Sequence, residues 1–257
     1  VVNLAGASIG AGRWRAARRR LLTESRVATT ERLARALREM PRPPRVLVSA
    51  SAVGYYGDRG DEALTESSAA GGGFLATLVA AWEAAALAAV QRAAPRANGS
   101  AMRVVLPRFG VVLSAQGGAL ARLLPLFRLG LGGRLGTGRQ WMPWIALDDA
   151  VGVIRAALPD QPDAERYRGP INVVAPQTVT NAEFTRALAA VLRRPAVLPA
   201  PAPLLRLALG RLGDELLLAS QCVVPARLLA LGFPYRHRQL TEALKYAIHD
   251  EADATIA

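Results

Sequence analysis

Lysine is almost missing from this chain: Lys245 is the only one among 32 basic residues, and the rest are arginine. Against 20 acidic residues they leave a formal charge of +12, which at face value points to nucleic acid or an acidic surface. The arginines, however, accompany a general richness in alanine and leucine. That pattern reads as codon bias, so a solvated basic surface and no nucleic-acid partner are expected. Cysteine is equally scarce. Cys222 stands alone, which excludes a disulfide framework and a cysteine metal site and suits a reducing, cytoplasmic setting. His237 and His249 are the only histidines and do not pair as ligands, so no metal site is expected. No uninterrupted apolar run is long enough for a bilayer. The leucine-rich segment 196–219 is broken by Arg206, Arg211, Asp214 and prolines, and no membrane partner is expected. The basic stretch 13–20 follows a strand-like segment, unlike a transit peptide with its amphipathic helix at the terminus.

What is present is apolar: 51% of 257 residues, enough to fill the core of one α/β domain with a smaller appendage. Residues 13–39 read as a helix, with Trp14, Ala17, Leu21, Leu33, Leu37 and Met40 at three- and four-residue spacing. "PRPP" (41–44) stops it, and "RVLVSASAVGYYGD" follows as a buried strand ending in small residues. Residues 74–93 form a second helix, 95–100 a turn, and 101–113 another strand, in which Pro107 marks a bulge or an end. Apolar strands alternating with helices predict a parallel sheet covered on both faces. Further on come a short helix, a glycine-rich loop (130–140), a helix opening near Asp148 with Asp148 and Asp149 capping it, and a strand at 169–176. A helix at 180–192 has Thr180 as N-cap and Glu183 three residues later, and a C-terminal helical segment ends near Asp250.

The opening "VVNLAGASIGAG" places glycines at 6, 10 and 12 and imitates a dinucleotide-binding fingerprint. A true fingerprint requires a second strand after one helix, with an acidic residue near its end. The chain instead stays helical as far as Met40, so the glycines are expected to be mimicry.

The pieces "VVNLAGASIGAGRW", "ESRVATTERLARAL", "VLVSASAVGYYGD", "LTE" (64–66), "WEAAA" (82–86) and "RFGVVLSAQGGAL" together resemble the extended, atypical short-chain dehydrogenase/reductases. So do "LLPLFRLGLGGRLGTGRQWMPWIALDD", "GPINVVAPQTVTNAEF" and "VVPARLLALGFPYRHRQLTEAL". Within that superfamily, of NAD-dependent epimerases and dehydratases, the match is to the epimerase family proteins. The resemblance implies a Rossmann-type doubly wound parallel sheet, N-terminally truncated, with a small C-terminal substrate-binding region. Its expected bounds are 1–113 for the partial NAD(P)-binding domain, with 145–160 packing back on it, and 114–257 for the rest. The opening would be the sheet's fourth strand, with the glycine fingerprint upstream of it. The present chain would then be a fragment or a mis-started reading frame, with an exposed sheet flank and weak or absent cofactor binding.

By the same resemblance Ser51, at a strand end, matches the superfamily's catalytic serine, and Tyr55 or Tyr56 could supply a phenol. Asn3, Ala5 and Gly6 match the strand end lining the cofactor. Arg108, taken to follow a strand, could reach a phosphate or an acidic substrate, and Arg139 and Gln140 could touch a polar substrate. Each also has a plain structural role open to it. The family's Y-x-x-x-K helix corresponds to "FLATLVAAWE", which has neither tyrosine nor lysine. The implied activity is an NAD(P)-dependent oxidoreductase or epimerase-like protein, using NADP(H) rather than NAD(H), on a small carbonyl or sugar-nucleotide-like substrate. The alternative is a non-catalytic nucleotide-binding regulator or scaffold. Oligomeric state stays open.

Overall fold

The computed structural model describes residues 1–89 and 102–250. In chain order it contains β1 (Val2–Asn3), α1 (Ala16–Thr23), α2 (Thr29–Glu39), β2 (Val46–Ser49), β3 (Ser51–Ala52), β4 (Ala63–Leu64) and α3 (Phe74–Leu87). There follow β5 (Arg103–Phe109), β6 (Val111–Leu113), α4 (Gly118–Arg128), β7 (Trp144–Ala146), α5 (Leu147–Ala156), β8 (Gly169–Val173) and α6 (Asn181–Leu192). The chain closes with α7 (Ala202–Leu209), β9 (Cys222–Val223), α8 (Ala226–Ala230) and α9 (Leu240–Lys245). The expected helix end at 93, the turn at 95–100 and the first strand residue, 101, lie outside the described residues.

The main sheet is parallel, with β2, β3 and β8 paired to β5, and β1 on the edge beside β2. Side chains along a strand alternate faces, and here both faces are apolar. Leu47, Val104 and Leu106 pack with Ala34 and Leu37 of α2 and Ala86 of α3. Their neighbours Val46, Val48, Val105, Ile171 and Val173 pack with Ala150 and Val153 of α5 and with Leu228 and Phe233. Covering such side chains on both sides stabilises the sheet by about 1.5–3 kcal/mol for each fully buried aliphatic residue. Polar residues on this scaffold are therefore exceptions that need a reason.

Pro107 does not end its strand. β5 runs on to Phe109, and Pro107 pairs with Ile171. The cause lies in the hydrogen-bond alternation. Arg103 N–H donates to the Arg45 carbonyl, so every second residue after it faces β2, Pro107 included. Lacking an N–H, Pro107 breaks only that rung. β2 and β3 keep one register against β5 on either side of the break, Val48 opposite Val105 and Ser51 opposite Arg108.

The helix expected over 13–39 is present from Ala16 but contains a π turn at Glu24–Ala28 between α1 and α2. A second core, away from the sheet, joins Leu120, Leu124 and Phe127 of α4 to Phe184 and Leu188 of α6 and to Ala243 and Leu244 of α9. Thr180 and Glu183 form the reciprocal capping box that their spacing predicts. The sheet itself draws on more of the C-terminal half than residues 145–160, because β8 completes it and Leu228 and Phe233 cover it.

Asp148 and Asp149 cap nothing on α5, whose N-terminus has no side-chain cap. The buried Asp149 instead accepts the backbone N–H groups of Arg236 and His237 at 2.8 and 3.0 Å, and Asp148 takes the Tyr246 hydroxyl at 2.8 Å. These free donors come from a loop distant in sequence, which local capping rules do not see.

Candidate functional site

Three neighbouring strands bring a row of polar residues to one level of the sheet. Ser51 of β3 lies opposite Arg108 of β5, which lies opposite Asn172 of β8. The two-residue alternation turns all three away from the α5 layer and toward the layer that holds α3. There Glu83, the one charged residue of α3, is 7% exposed and meets them.

Arg108 Nε and Nη2 donate to Glu83 Oε1 and Oε2 at 2.7 and 2.8 Å, a bidentate pair, and Ser51 Oγ donates to Glu83 Oε1 at 2.5 Å. Burial works against the Arg108 charge, but the bond to Glu83 and its negative charge outweigh it and push the Arg108 pKa up. An ion pair this covered is worth keeping only where the geometry is good, and here all three contacts to the carboxylate lie within hydrogen-bond distance.

Tyr55 and Tyr56 sit on a short 3₁₀ turn, Val53–Tyr56, directly after β3. Gly71 packs against that turn so tightly that a Cβ on it would lie 1.9 Å from the Tyr56 carbonyl oxygen. Tyr55 presents its ring face to the Arg108 guanidinium, 3.6 Å from the ring centroid. The Tyr56 hydroxyl accepts from Arg108 Nη1 at 2.9 Å and donates to Asn172 Oδ1 at 2.6 Å, with the Thr65 carbonyl at 3.0 Å. Burial raises the Tyr56 pKa despite the lowering effect of Arg108. A phenol meant to exchange protons near neutrality needs the opposite shift. Tyr56 therefore positions Arg108 and Asn172. Asn172 in turn donates from Nδ2 to the Val224 carbonyl at 2.9 Å, and its N–H goes to Glu66 Oε1 at 3.0 Å.

The remaining expected site residues fall in three places. Asn3 is buried, donating to Thr30 Oγ1 and Ser49 Oγ at 3.1 and 3.3 Å and accepting the Ala5 N–H at 3.2 Å. That turn leaves Ala5 and Gly6 exposed just past the carboxyl end of β1. The register between β1 and β2 ends at Asn3 opposite Ser49. Arg108 lies inside its strand, not after it, and its guanidinium is committed to Glu83 and Tyr56 rather than open to a phosphate. Arg139 is exposed, whereas Gln140 is buried, its amide donating to the Leu135 and Leu217 carbonyls at 3.1 Å each. Gln140 thus ties loops together, because a buried amide needs partners and carbonyls surround it.

Glu83, Asn172 and Glu66 were not singled out by sequence reasoning. A signal existed for Glu83: it is a lone carboxylate in "FLATLVAAWEAAAL", an otherwise nearly apolar helix. Among the described residues no group of acidic, histidine or cysteine side chains could hold a metal, and no helix is long and apolar enough to cross a membrane.

A parallel sheet clad by helices, with polar residues at the carboxyl ends of adjacent strands, defines a Rossmann-type α/β protein, a class whose ligands bind outside the carboxyl ends of the strands. Comparison with known proteins narrows the class. Residues 1–173 match the model of the NAD dependent epimerase/dehydratase family, and residues 200–247 match a domain of unknown function, DUF1731. The chain belongs to the NAD-dependent epimerase/dehydratase family. An epimerase family protein of Mycobacterium bovis is 44% identical over 247 residues, 96% of this chain and 77% of that protein. The Bos taurus epimerase family protein SDR39U1 is 41% identical, covering 96% of this chain and 81% of the relative. A crystal structure of human epimerase family protein SDR39U1 with NADPH superposes with a TM-score of 0.87 at 38% identity, over 96% of this chain and 81% of that one. UDP-glucuronic acid 4-epimerase from Bacillus cereus, at 14% identity and a TM-score of 0.72, shares the fold.

Proposed function

We propose that the chain is an NADP(H)-preferring oxidoreductase or epimerase-like enzyme of the atypical short-chain dehydrogenase/reductase type, acting in the reducing cytoplasm on a small carbonyl or sugar-nucleotide-like substrate. The observation that carries this reading is the Ser51–Glu83–Arg108 cluster at the carboxyl ends of β3 and β5. Nothing about a purely apolar core requires a charge pair there, and a serine donating to a carboxylate leaves its own oxygen lone pairs directed elsewhere.

The residues fit a nicotinamide dinucleotide. Ala5 and Gly6 offer exposed backbone past the end of β1, with the Arg26 guanidinium against Gly6, and Asn3 holds that turn in place. Such a cofactor, when bound, supplies or accepts a hydride. The chain's part is the proton. As a substrate hydroxyl is oxidised, its proton passes to Ser51 Oγ while the serine proton moves to Glu83 Oε1, and reduction reverses both transfers. Arg108 fixes the carboxylate, and Tyr55 and Tyr56 fix Arg108. Asn3, Ala5 and Gly6 would line the cofactor, and the exposed Arg139 would meet substrate.

A second reading, a nucleotide-binding scaffold without turnover, is favoured by the locked Tyr56 phenol and by the lack of a tyrosine and lysine on α3. The deciding experiment follows loss of NADPH absorbance over a panel of small carbonyls and, because an epimerase returns its hydride, epimer formation by product analysis over a panel of sugar nucleotides. Turnover that falls at least a hundredfold in Ser51→Ala supports the enzyme, whereas tight dinucleotide binding with no turnover on any compound supports the scaffold.

A further inference from the structure

The loop after β1 gathers arginines from α1, from the π turn that follows it and from α4. Arg26, in that π turn, lies beside Gly6 so closely that a Cβ on Gly6 would come within 3.0 Å of its guanidinium carbon. Arg18 of α1 donates from Nη2 to the Ser8 carbonyl, and its Nε is buried with no partner. Arg122 of α4 donates to the Gly10 carbonyl at 2.7 Å. A Cβ on Gly10 would lie 2.5 Å from Arg122 Nη1, so the glycine is what lets this arginine reach the loop.

No counter-charge answers these groups. Among the described residues none of the three forms an ion pair with a carboxylate, unlike Arg59, Arg103, Arg108, Arg168, Arg206 and Arg236. Arg26 stacks over the Trp82 ring at 5.2 Å, and its one hydrogen bond is a long one, 3.4 Å, to the Leu22 carbonyl. Burial lowers its pKa, and the neighbouring Arg18 charge lowers it further. Arg18 and Arg26 repel each other, and cations with unused donors at a strand's carboxyl end are stabilised by a multivalent anion. A single carboxylate would neutralise only one of them, while a phosphate ester or pyrophosphate offers two or more charges and several acceptors.

We propose that Arg18, Arg26 and Arg122, gathered around residues 6–10, form a binding site for a phosphate-bearing ligand past the carboxyl end of β1. Two backbone N–H groups there are already taken, Ala5's by Asn3 and Ala7's by Ser25, and the donors argued for are the arginine side chains. The "GASIGAG" loop thus resembles a phosphate cradle in letters but would work through side chains. The phosphate can come from a dinucleotide or from a phosphorylated substrate, and the test separates the two.

Sodium pyrophosphate is titrated calorimetrically into the full chain at fixed ionic strength. It is titrated equally into Arg18→Gln, Arg26→Gln and Arg122→Gln, with Arg155→Gln as control, because Arg155 lies exposed on α5. Unfolding midpoints are recorded for every variant, and only variants that keep the wild-type midpoint are compared. The expected result is saturable wild-type binding, at least tenfold weaker in Arg122→Gln and in whichever of the other two stays folded, and unchanged in Arg155→Gln. Wild-type affinity in Arg122→Gln, an equal loss in Arg155→Gln, or no wild-type binding would overturn the proposal. A parallel NADPH titration assigns the source: affinity that falls with pyrophosphate binding assigns the site to the cofactor, and unchanged NADPH affinity assigns it to substrate. The pyrophosphate arm needs neither dinucleotide nor turnover, so it can succeed even if the redox reading fails.

Discussion

Arg103 opens β5 and Arg108 lies near its end, both almost fully covered, yet they face opposite layers and meet different partners. Arg103 donates to the carbonyls of Tyr167 and Ala157 at 2.7 and 3.1 Å, and its carboxylate neighbour Glu165, at 3.3 Å, is 69% exposed. Arg108 has a covered carboxylate, a tyrosine ring beneath it, and a serine bonded to the same carboxylate. The first arrangement closes loops over the amino end of the sheet, using neutral acceptors that need a donor. The second concentrates charge at the carboxyl end, where ligands of parallel sheets bind. Burial alone therefore does not distinguish the two arginines; the kind of partner and the end of the strand do.

The contrast can be broken most severely at Arg108. Arg108→Met strands the Glu83 charge in the interior and should destabilise the protein by about 3–5 kcal/mol in urea unfolding near neutral pH. Adding Glu83→Leu should restore most of that loss, because an apolar pair replaces the buried ions. If the double variant is no more stable than the single, the two side chains are not coupled as described.

Arg103→Met should cost less, about 1–3 kcal/mol, since it leaves two carbonyls without a donor and releases a carboxylate already in water. A loss equal to that of Arg108→Met would erase the distinction between the two ends.

Tyr56→Phe sharpens the picture further, with an expected loss of about 1–2 kcal/mol as Asn172 Oδ1 and Arg108 Nη1 each lose a partner. It also carries a pH signature. The folded Tyr56 pKa is raised above its ordinary value of 10.0, so the folded state holds its proton while the unfolded chain releases it. Stability should be level below that value and fall as pH climbs above it, and the fall should be shallower in Tyr56→Phe. Identical alkaline slopes for the two proteins would show that the Tyr56 phenol is not the group responsible.

Much of this architecture is legible in the sequence where the signal is local. The apolar run 46–49, the amphipathic helix 29–39 and the Thr180–Glu183 box each follow from periodicity or spacing, and the resemblance placed Ser51 at a strand end. The row of Ser51, Arg108 and Asn172 is not legible, because it depends on parallel register between strands more than fifty residues apart. Pro107 misleads for the same reason: which neighbour its missing N–H would have faced is a property of the sheet. Gln140 and Asp149 are polar residues in suggestive loops whose partners are backbone groups brought in from elsewhere.

NADPH-dependent turnover per folded molecule, taken with urea stability, for wild type, Ser51→Ala and Arg103→Met separates a chemical role for the carboxyl-end cluster from a structural one. Ser51→Ala should lose about 1–3 kcal/mol of stability with its bond to Glu83 and at least a hundredfold in turnover per folded molecule, while Arg103→Met, with a comparable loss of stability, should keep turnover within about twofold. Turnover that tracks stability alike in both variants, or that survives in Ser51→Ala, would contradict the chemical role.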